Sequence, residues 1–530
     1  MNNPAYANVN IHVENNHQEY RSFFQDSVNN EQIGNKSLQL NRITTLWRLS
    51  FDSIRMPDKK GSMGLLGFYY LAKINPLINS GIVGYSAIKG DQGGLFVLGI
   101  QGEIYHSLIS RLWIRSGVFV GGGGGKVGTG NGSMVRSHIG ISYDFDRFKI
   151  GSNYSYIRFP DSKISDKQFS LSVTIPTQFY YFNPNYIGKK INDLNMVKHI
   201  SGSDNIIFNR NHMAIVLQNY FQKLGTKNTS GQVQDNTIWL IGVELGRFIT
   251  KNTYVLLKTA GAFKGNPHGY MDFLAGIGYN YPLTAKYFSL SGKITAGSGG
   301  GGHVETGGGF LLETNIGLKL NFTPNTAMQF DGGYLNSLNG NFKAMSLTSK
   351  FLYSIEIADI VPTNNIESAG GSYTFNTWAI RISNLVYRAP KRTDNIASDD
   401  VHLICVKFDK LLNKHFFLTG QTHFAYAGKY VGGYATGMIG AGMQSKEIFS
   451  DQIKAHVELL LGAGGGGHLA LGHGGIAQSV AGLTYNVNNY IGVLISIGEV
   501  FALNNDLNST VINLGLAINF STLTRHSFNH

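Results

Sequence analysis

The clearest signal along the chain is alternation with a period of two. Ile512, Leu514, Leu516, Ile518 and Phe520 fall on one side of an extended strand, and Asn513, Gly515, Ala517 and Asn519 fall on the other. Similar stretches recur along the chain, each about ten residues long, enough to cross a bilayer as a tilted strand. No run of 18 or more apolar residues exists, so a helical membrane span is excluded. The pattern predicts antiparallel β-strands with one lipid face and one inward face.

The strands repeat in groups. Glycine blocks stand at Gly121 to Gly125, Gly299 to Gly302 and Gly464 to Gly467. Aligning their last glycines brings Gly130, Gly307 and Gly472 into register, then Gly140, Gly317 and Gly482, and upstream Gly99, Gly276 and Gly440. A repeat missed at this stage miscalls the fold. The spacing is too long for a solenoid unit, so each copy is a module. In the second copy eight strands are expected near 211–222, 237–248, 252–263, 269–281, 285–297, 306–322, 325–336 and 341–355. The chain then divides into a polar extension, 1–37, and three repeats, 38–179, 211–355 and 376–520. Linkers fill 180–210 and 356–375, and a tail fills 521–530. Ala5-Tyr6-Ala7 fits a small-x-small processing pattern, which would make the first residues a signal-peptide remnant.

Composition sharpens the class. Charged residues make up 14% of the chain, against about 25% in soluble proteins. Aromatic residues reach 12% and glycine counts 67, with one cysteine, Cys405, so disorder and a disulfide scaffold are both excluded. Connections alternate in length. Asn75-Pro76, Lys251-Asn252 and Asn413-Lys414 are tight, whereas 52–62, 223–236 and 388–400 are long and polar. Short turns at one end and longer loops at the other, with a final strand ending in Phe520, resemble Gram-negative outer-membrane β-barrel proteins as a class. That resemblance implies insertion by the barrel-assembly machinery, with Leu516, Ile518 and Phe520 as the assembly signal, and contact with lipopolysaccharide. Two architectures fit: one antiparallel barrel of about 24 strands, or three tandem eight-stranded barrels. Small inward residues such as Gly242, Gly246, Gly515 and Ala517 favour the large barrel, because small barrels fill their interiors with side chains. The long segments 180–210 and 356–375 favour the tandem form.

Charge and candidate chemistry come last. The net charge is +12, which attracts anions without naming one. Lys126, His303 and His468 each follow a glycine block and share one repeat position, so a single wide barrel would gather them at a constriction. A second repeated position holds Lys89, Lys264 and Lys429, and the long loops add Arg55, Lys59, Lys60, Lys223, Lys227, Arg388, Lys391 and Arg392. A plain solvated basic loop explains each of these positions as simply. Gly121 to Gly125 with Lys126 is no phosphate-binding P-loop, since Val127 stands where Ser or Thr is needed. Ser137-His138 and His473 lack a surrounding catalytic motif, and His303 with Glu305, or His468 with His473, lacks a third metal ligand at diagnostic spacing. The reading is a non-enzymatic channel or export pore for an anionic polymer or solute, without cofactor. An anionic polysaccharide or a periplasmic protein would be its partner, and nucleic acid would not. The competing reading is a structural or adhesive surface protein anchored by its barrels; a lipid-modifying enzyme is third.

Overall fold

The computed structural model describes residues 38–525 except 58–60, 126–127, 193, 195–196, 199–203, 268, 285–286, 363–371, 395, 449–451 and 505–506. The expected N-terminal extension and its processing pattern lie outside the described residues. Barrel 1 contains Asn41–Arg55, Ser62–Lys73, Ile78–Lys89, Phe96–Ile109, Leu112–Gly124, Ser133–Asp144, Lys149–Arg158 and Ser165–Tyr181. Barrel 2 contains Asp204–Gln222, Ile238–Phe248, Thr253–Lys264, Met271–Thr284, Phe288–Gly300, Phe310–Asn321, Thr326–Ser337 and Lys343–Pro362. Barrel 3 contains Tyr373–Tyr387, Val401–Leu411, Phe416–Ala427, Ala435–Gln444, Ile453–Gly465, Gly475–Asn486, Ile491–Ala502 and Asn508–Arg525. Within each group consecutive strands pair antiparallel, and the eighth pairs back on the first. The closing registers include Leu49↔Val173, Ile215↔Phe351 and Ile382↔Leu516.

This corrects the expectation of a single 24-stranded barrel; the tandem alternative is what forms. A single ring would need the eighth strand of one repeat to pair along the first strand of the next. The misleading signal was the small inward residues. They do not mark an empty lumen but make room for large neighbours. A Cβ on Gly246 would stand 2.2 Å from the His212 ring, and one on Gly515 would stand 2.3 Å from Ser383 Cβ. Small residues opposite large ones are how a narrow barrel packs its core.

Outward positions form an apolar belt. Leu171 is 67% and Leu459 71% exposed, and Ile104, Ile139, Ile277, Ile294, Ile316 and Leu347 share that face. Tyr143, Phe145, Phe148, Tyr279, Tyr281, Phe322, Phe416 and Tyr485 are exposed at the tight-turn end, where an aromatic girdle meets the headgroups. Asn513 and Ala517 are buried while Leu514 and Leu516 are exposed, as the alternation predicted. In a packed lumen, however, the buried Asn513 leaves no room for a lysine, which a wide pore would have accepted.

The strands that close the rings run on past the tight turns and join the three barrels. Phe182 bridges Ser521, Lys190 and Ile191 pair with Thr374 and Tyr373, and Glu356 pairs with Arg525, with an ion pair of 2.7 Å. A two-residue parallel bridge ties Leu38–Gln39 to Val197–Lys198. Leu38, Leu40, Phe182, Ile191, Val197, Ile360, Tyr373, Phe375 and Leu523 form one buried cluster drawn from all three repeats. The segments read as linkers therefore include parts of a shared joint. The last strand continues to Arg525, five residues beyond Phe520.

At the opposite end the barrels meet through glycine. The loop after the third strand of each barrel lies on the glycine block of another. A Cβ on Gly300 would come within 2.5 Å of Gly94 N, one on Gly465 within 2.0 Å of Gly269 Cα, and one on Gly124 within 2.3 Å of Gly433 N. Barrel 1 thus docks on barrel 2, barrel 2 on barrel 3 and barrel 3 on barrel 1, a head-to-tail ring with pseudo-threefold symmetry. Gly93 N donates to Gly307 O at 2.8 Å, and the equivalent Gly432 N donates to Gly130 O at 2.9 Å. Ser298 Oγ adds a bond to Ala87 O at 2.7 Å. Valine at Gly124, Gly300 or Gly465 is expected to lower the thermal midpoint, because overpacking costs about 1–3 kcal/mol and here the obstacle is backbone. Gly292→Ala, with nothing within 4 Å of its added Cβ, is the matched control and should leave the midpoint unchanged. Thermal unfolding followed by gel mobility reads both.

Candidate functional site

Eight strands enclose a space only wide enough for side chains, and inward positions fill it in two layers. Towards the glycine end each lumen is apolar. In barrel 1 this layer includes Ile54, Met63, Leu65, Val83, Leu95, Phe119 and Phe159. Tyr220, Leu240, Tyr270, Leu311 and Phe342 do the same in barrel 2, and Tyr387, Leu403, Cys405, Tyr434, Ile476 and Val500 in barrel 3. Cys405 is thus a small apolar packing residue inside a sealed layer.

Among and below these residues the lumens hold buried charge. In barrel 1, Arg48 forks onto Glu103 at 2.7 and 2.8 Å, and Asn79 and Gln101 donate to the same carboxylate at 3.1 and 3.0 Å. Arg136 lies 3.1 Å from Asp52, which also accepts from Gln168 at 2.9 Å, while Arg115 donates to Asn153 at 2.7 Å and Ser172 at 2.6 Å. In barrel 2, Lys350 sits between Glu244 at 3.0 Å and Asp331 at 3.2 Å, and Lys258 reaches Glu313 at 2.9 Å. In barrel 3, Arg381 bridges Asp409 and Glu458 at 2.5 Å each, and Lys407 also pairs with Glu458. The bidentate fork of Arg48 and the shared carboxylates offset part of the cost of desolvating these ions.

The lumen charges nearly cancel. Barrel 2 buries Lys258, Lys293, Lys319 and Lys350 with Glu244, Asp272, Glu313 and Asp331. Barrel 3 sets Arg381 and Lys407 against Asp409 and Glu458, and barrel 1 sets Arg48, Arg115 and Arg136 against Asp52 and Glu103. Almost all of the net +12 therefore lies outside the lumens. These groups could have been found in the sequence as charged residues at the inward positions of apolar strands. The repeats align at the loops, whereas the charged inward positions differ from barrel to barrel.

The residues singled out from sequence sit elsewhere. His303 and His468 are exposed, with positive φ of 61° and 58°, in the loops after the fifth strands. Their carbonyls accept Thr229 N and Thr393 N, each at 2.9 Å, so the long first loops of barrels 2 and 3 fold over the glycine loops. Lys126 lies outside the described residues. The constriction imagined for these three needed a common lumen, and the ring closure leaves none. Lys89, Lys264 and Lys429 are exposed at the barrel–barrel seams instead: Lys89 lies against Gly308, Lys264 borders barrel 3, and Arg392 binds the carbonyl of Lys429 at 2.8 Å. In the same loop, hydrogen bonds from Arg392 hold the Asp394 carboxyl down at about 2. Leu516 is exposed and Ile518 half-buried; Phe520 packs edge-on to Phe179 of barrel 1 at 5.2 Å.

Removing one member of a buried pair should be far costlier than removing a surface partner. Glu103→Gln strands Arg48 without its countercharge and is expected to cost about 3–5 kcal/mol. Arg55→Ala removes an 81% exposed guanidinium from Asp166 and should leave the unfolding midpoint nearly unchanged. Urea unfolding in micelles compares the two.

No family model matches the chain, and no curated protein matches it at a significant level. Solved structures do. The siderophore receptor PirA of Acinetobacter baumannii is similar at 9% identity and a TM-score of 0.26, over 90% of this chain and 80% of that one. OpdQ of Pseudomonas aeruginosa is similar at 9% identity and 0.19, over 91% and 98%, and OccK8 (OprE) of the same organism at 8% and 0.20, over 91% and 98%. At scores this low the likeness says nothing of barrel size or cargo. Closed antiparallel rings, an apolar outward belt, an aromatic girdle and tight turns at one end are the architecture of the Gram-negative outer membrane, and the chain is an outer-membrane β-barrel protein.

Proposed function

We propose that the protein is a sealed, non-catalytic platform of the outer membrane. Three barrels anchor it, loops outside present its basic face, and the joint of extended strands offers a surface to a periplasmic protein. The observation that carries this reading is the filling of all three lumens with apolar side chains and buried ion pairs. An open channel needs a continuous wet path, and packed side chains with balanced charge deny one. The basic exterior suits an anionic polysaccharide or lipopolysaccharide. The barrel-assembly machinery would read the last strand through Leu516, Ile518 and Phe520.

A second reading keeps the channel or transport role. It is favoured by the polar lower halves of the lumens, which would conduct if the apolar layer moved aside. Export of an anionic polymer would then require one barrel to empty, since a single barrel is too narrow with its charges in place.

Planar-bilayer recording separates the two. The purified full chain at neutral pH is expected to give no steady conductance above the bare bilayer. Sustained ohmic steps with anion preference would establish the transport reading and remove the sealed one.

A further inference from the structure

The seam between barrels 2 and 3 is not filled by protein throughout. Gly261 faces Ala463, with 3.4 Å to an added Cβ, and the glycine contact of Gly465 with Gly269 closes the seam nearby. Beside these contacts lies a groove of about 310 Å³, lined by Ile241, Phe263, Lys264, Leu461, Gly462 and Leu503 among others. Leu461 is 58% and Leu503 53% exposed, so the groove opens outward from the barrels. Every lining residue lies in the extracellular part of its strand or in a loop at that end. At that depth an outward-facing groove meets the outer leaflet. Its walls are mostly apolar and hydrocarbon is the solvent on that side, so an acyl chain fits the groove.

Its mouth is charged. Lys264 is the cationic lining residue and ends the third strand, with its ammonium 5.4 Å from the centroid of the Trp239 ring. A Trp–Lys pair at the end of a membrane strand marks headgroup level. The exposed ammonium there faces whatever anion the headgroup carries. Lys89 and Lys429 stand at the matching ends of the other two seams, so a cation recurs at each seam, while the groove with described walls is at this one.

We propose that the groove between barrels 2 and 3 binds an outer-leaflet lipid that carries a phosphate, with an acyl chain against Ile241, Phe263 and Leu461 and the phosphate on Lys264. The inference rests on the outer-membrane reading. Its two parts are separable: Leu461→Trp fills the groove and keeps the charge, and Lys264→Gln removes the charge and keeps the groove. Both positions are exposed to lipid, so the rings should still close, and slower gel mobility after boiling than before confirms this in each sample.

The test is native mass spectrometry of the delipidated full chain in detergent, with hexa-acyl diphosphoryl lipid A added. Wild type is expected to retain one lipid A more tightly than Lys264→Gln by about fivefold, the worth of one basic charge at a lipid surface. Leu461→Trp should lose it as well. Equal retention by wild type and Lys264→Gln would overturn the phosphate contact. Full retention by Leu461→Trp would overturn the groove. Displacement of lipid A by millimolar inorganic phosphate would make the site one for a free anion and defeat the proposal. Failure of the rings to show heat-dependent mobility would instead count against the membrane reading.

Discussion

In hydrocarbon an unpaired backbone amide has no water to turn to, so a sheet that enters a bilayer must end on itself. Here it does so after eight strands, three times, when Ser165–Tyr181 returns to Asn41–Arg55 and its counterparts do the same. Ring size then dictates what the interior can be. A lumen eight strands wide is the width of its own side chains, so alternation supplies a core as well as a lipid face. Most of the buried charge in that core is paired, as in Arg48–Glu103, Lys258–Glu313 and Arg381–Glu458, while Arg115 is held by the neutral side chains of Asn153 and Ser172.

The second constraint acts between rings. Barrels surrounded by lipid gain little from apolar contact with each other, since the alternative partner is equally apolar. What holds them together is close approach of backbone, and the three glycine blocks permit it. Gly124, Gly300 and Gly465 each meet a glycine of a neighbouring barrel in the same way. At the other end the joint is aqueous and uses ordinary means: the cluster around Phe182 and Phe375, and Arg525 on Glu356. The seams are thus tight at their ends, and the space left between barrels 2 and 3 is open to lipid.

Much of this was legible in the residues. The eight strands of the second repeat, the tight and long connections and the outward face of the last strand all follow from period-two alternation and turn chemistry, which are local. Ring closure is not local. Whether 343–362 pairs with 204–222 or with 373–387 depends on edges far apart in sequence, and alternation is identical in both cases. Glycine was ambiguous for the same reason. Gly246 and Gly515 looked like empty lumen and are instead the partners of His212 and Ser383. The repeated glycine blocks and lysines were visible as repeats, but their place at seams follows only once three rings exist.

Projection imaging of the purified full chain in detergent, viewed along the membrane normal, tests the account most directly. The account predicts three small rings of equal size around a pseudo-threefold axis, each with density across its centre. One large ring, or three rings with empty centres, would contradict it.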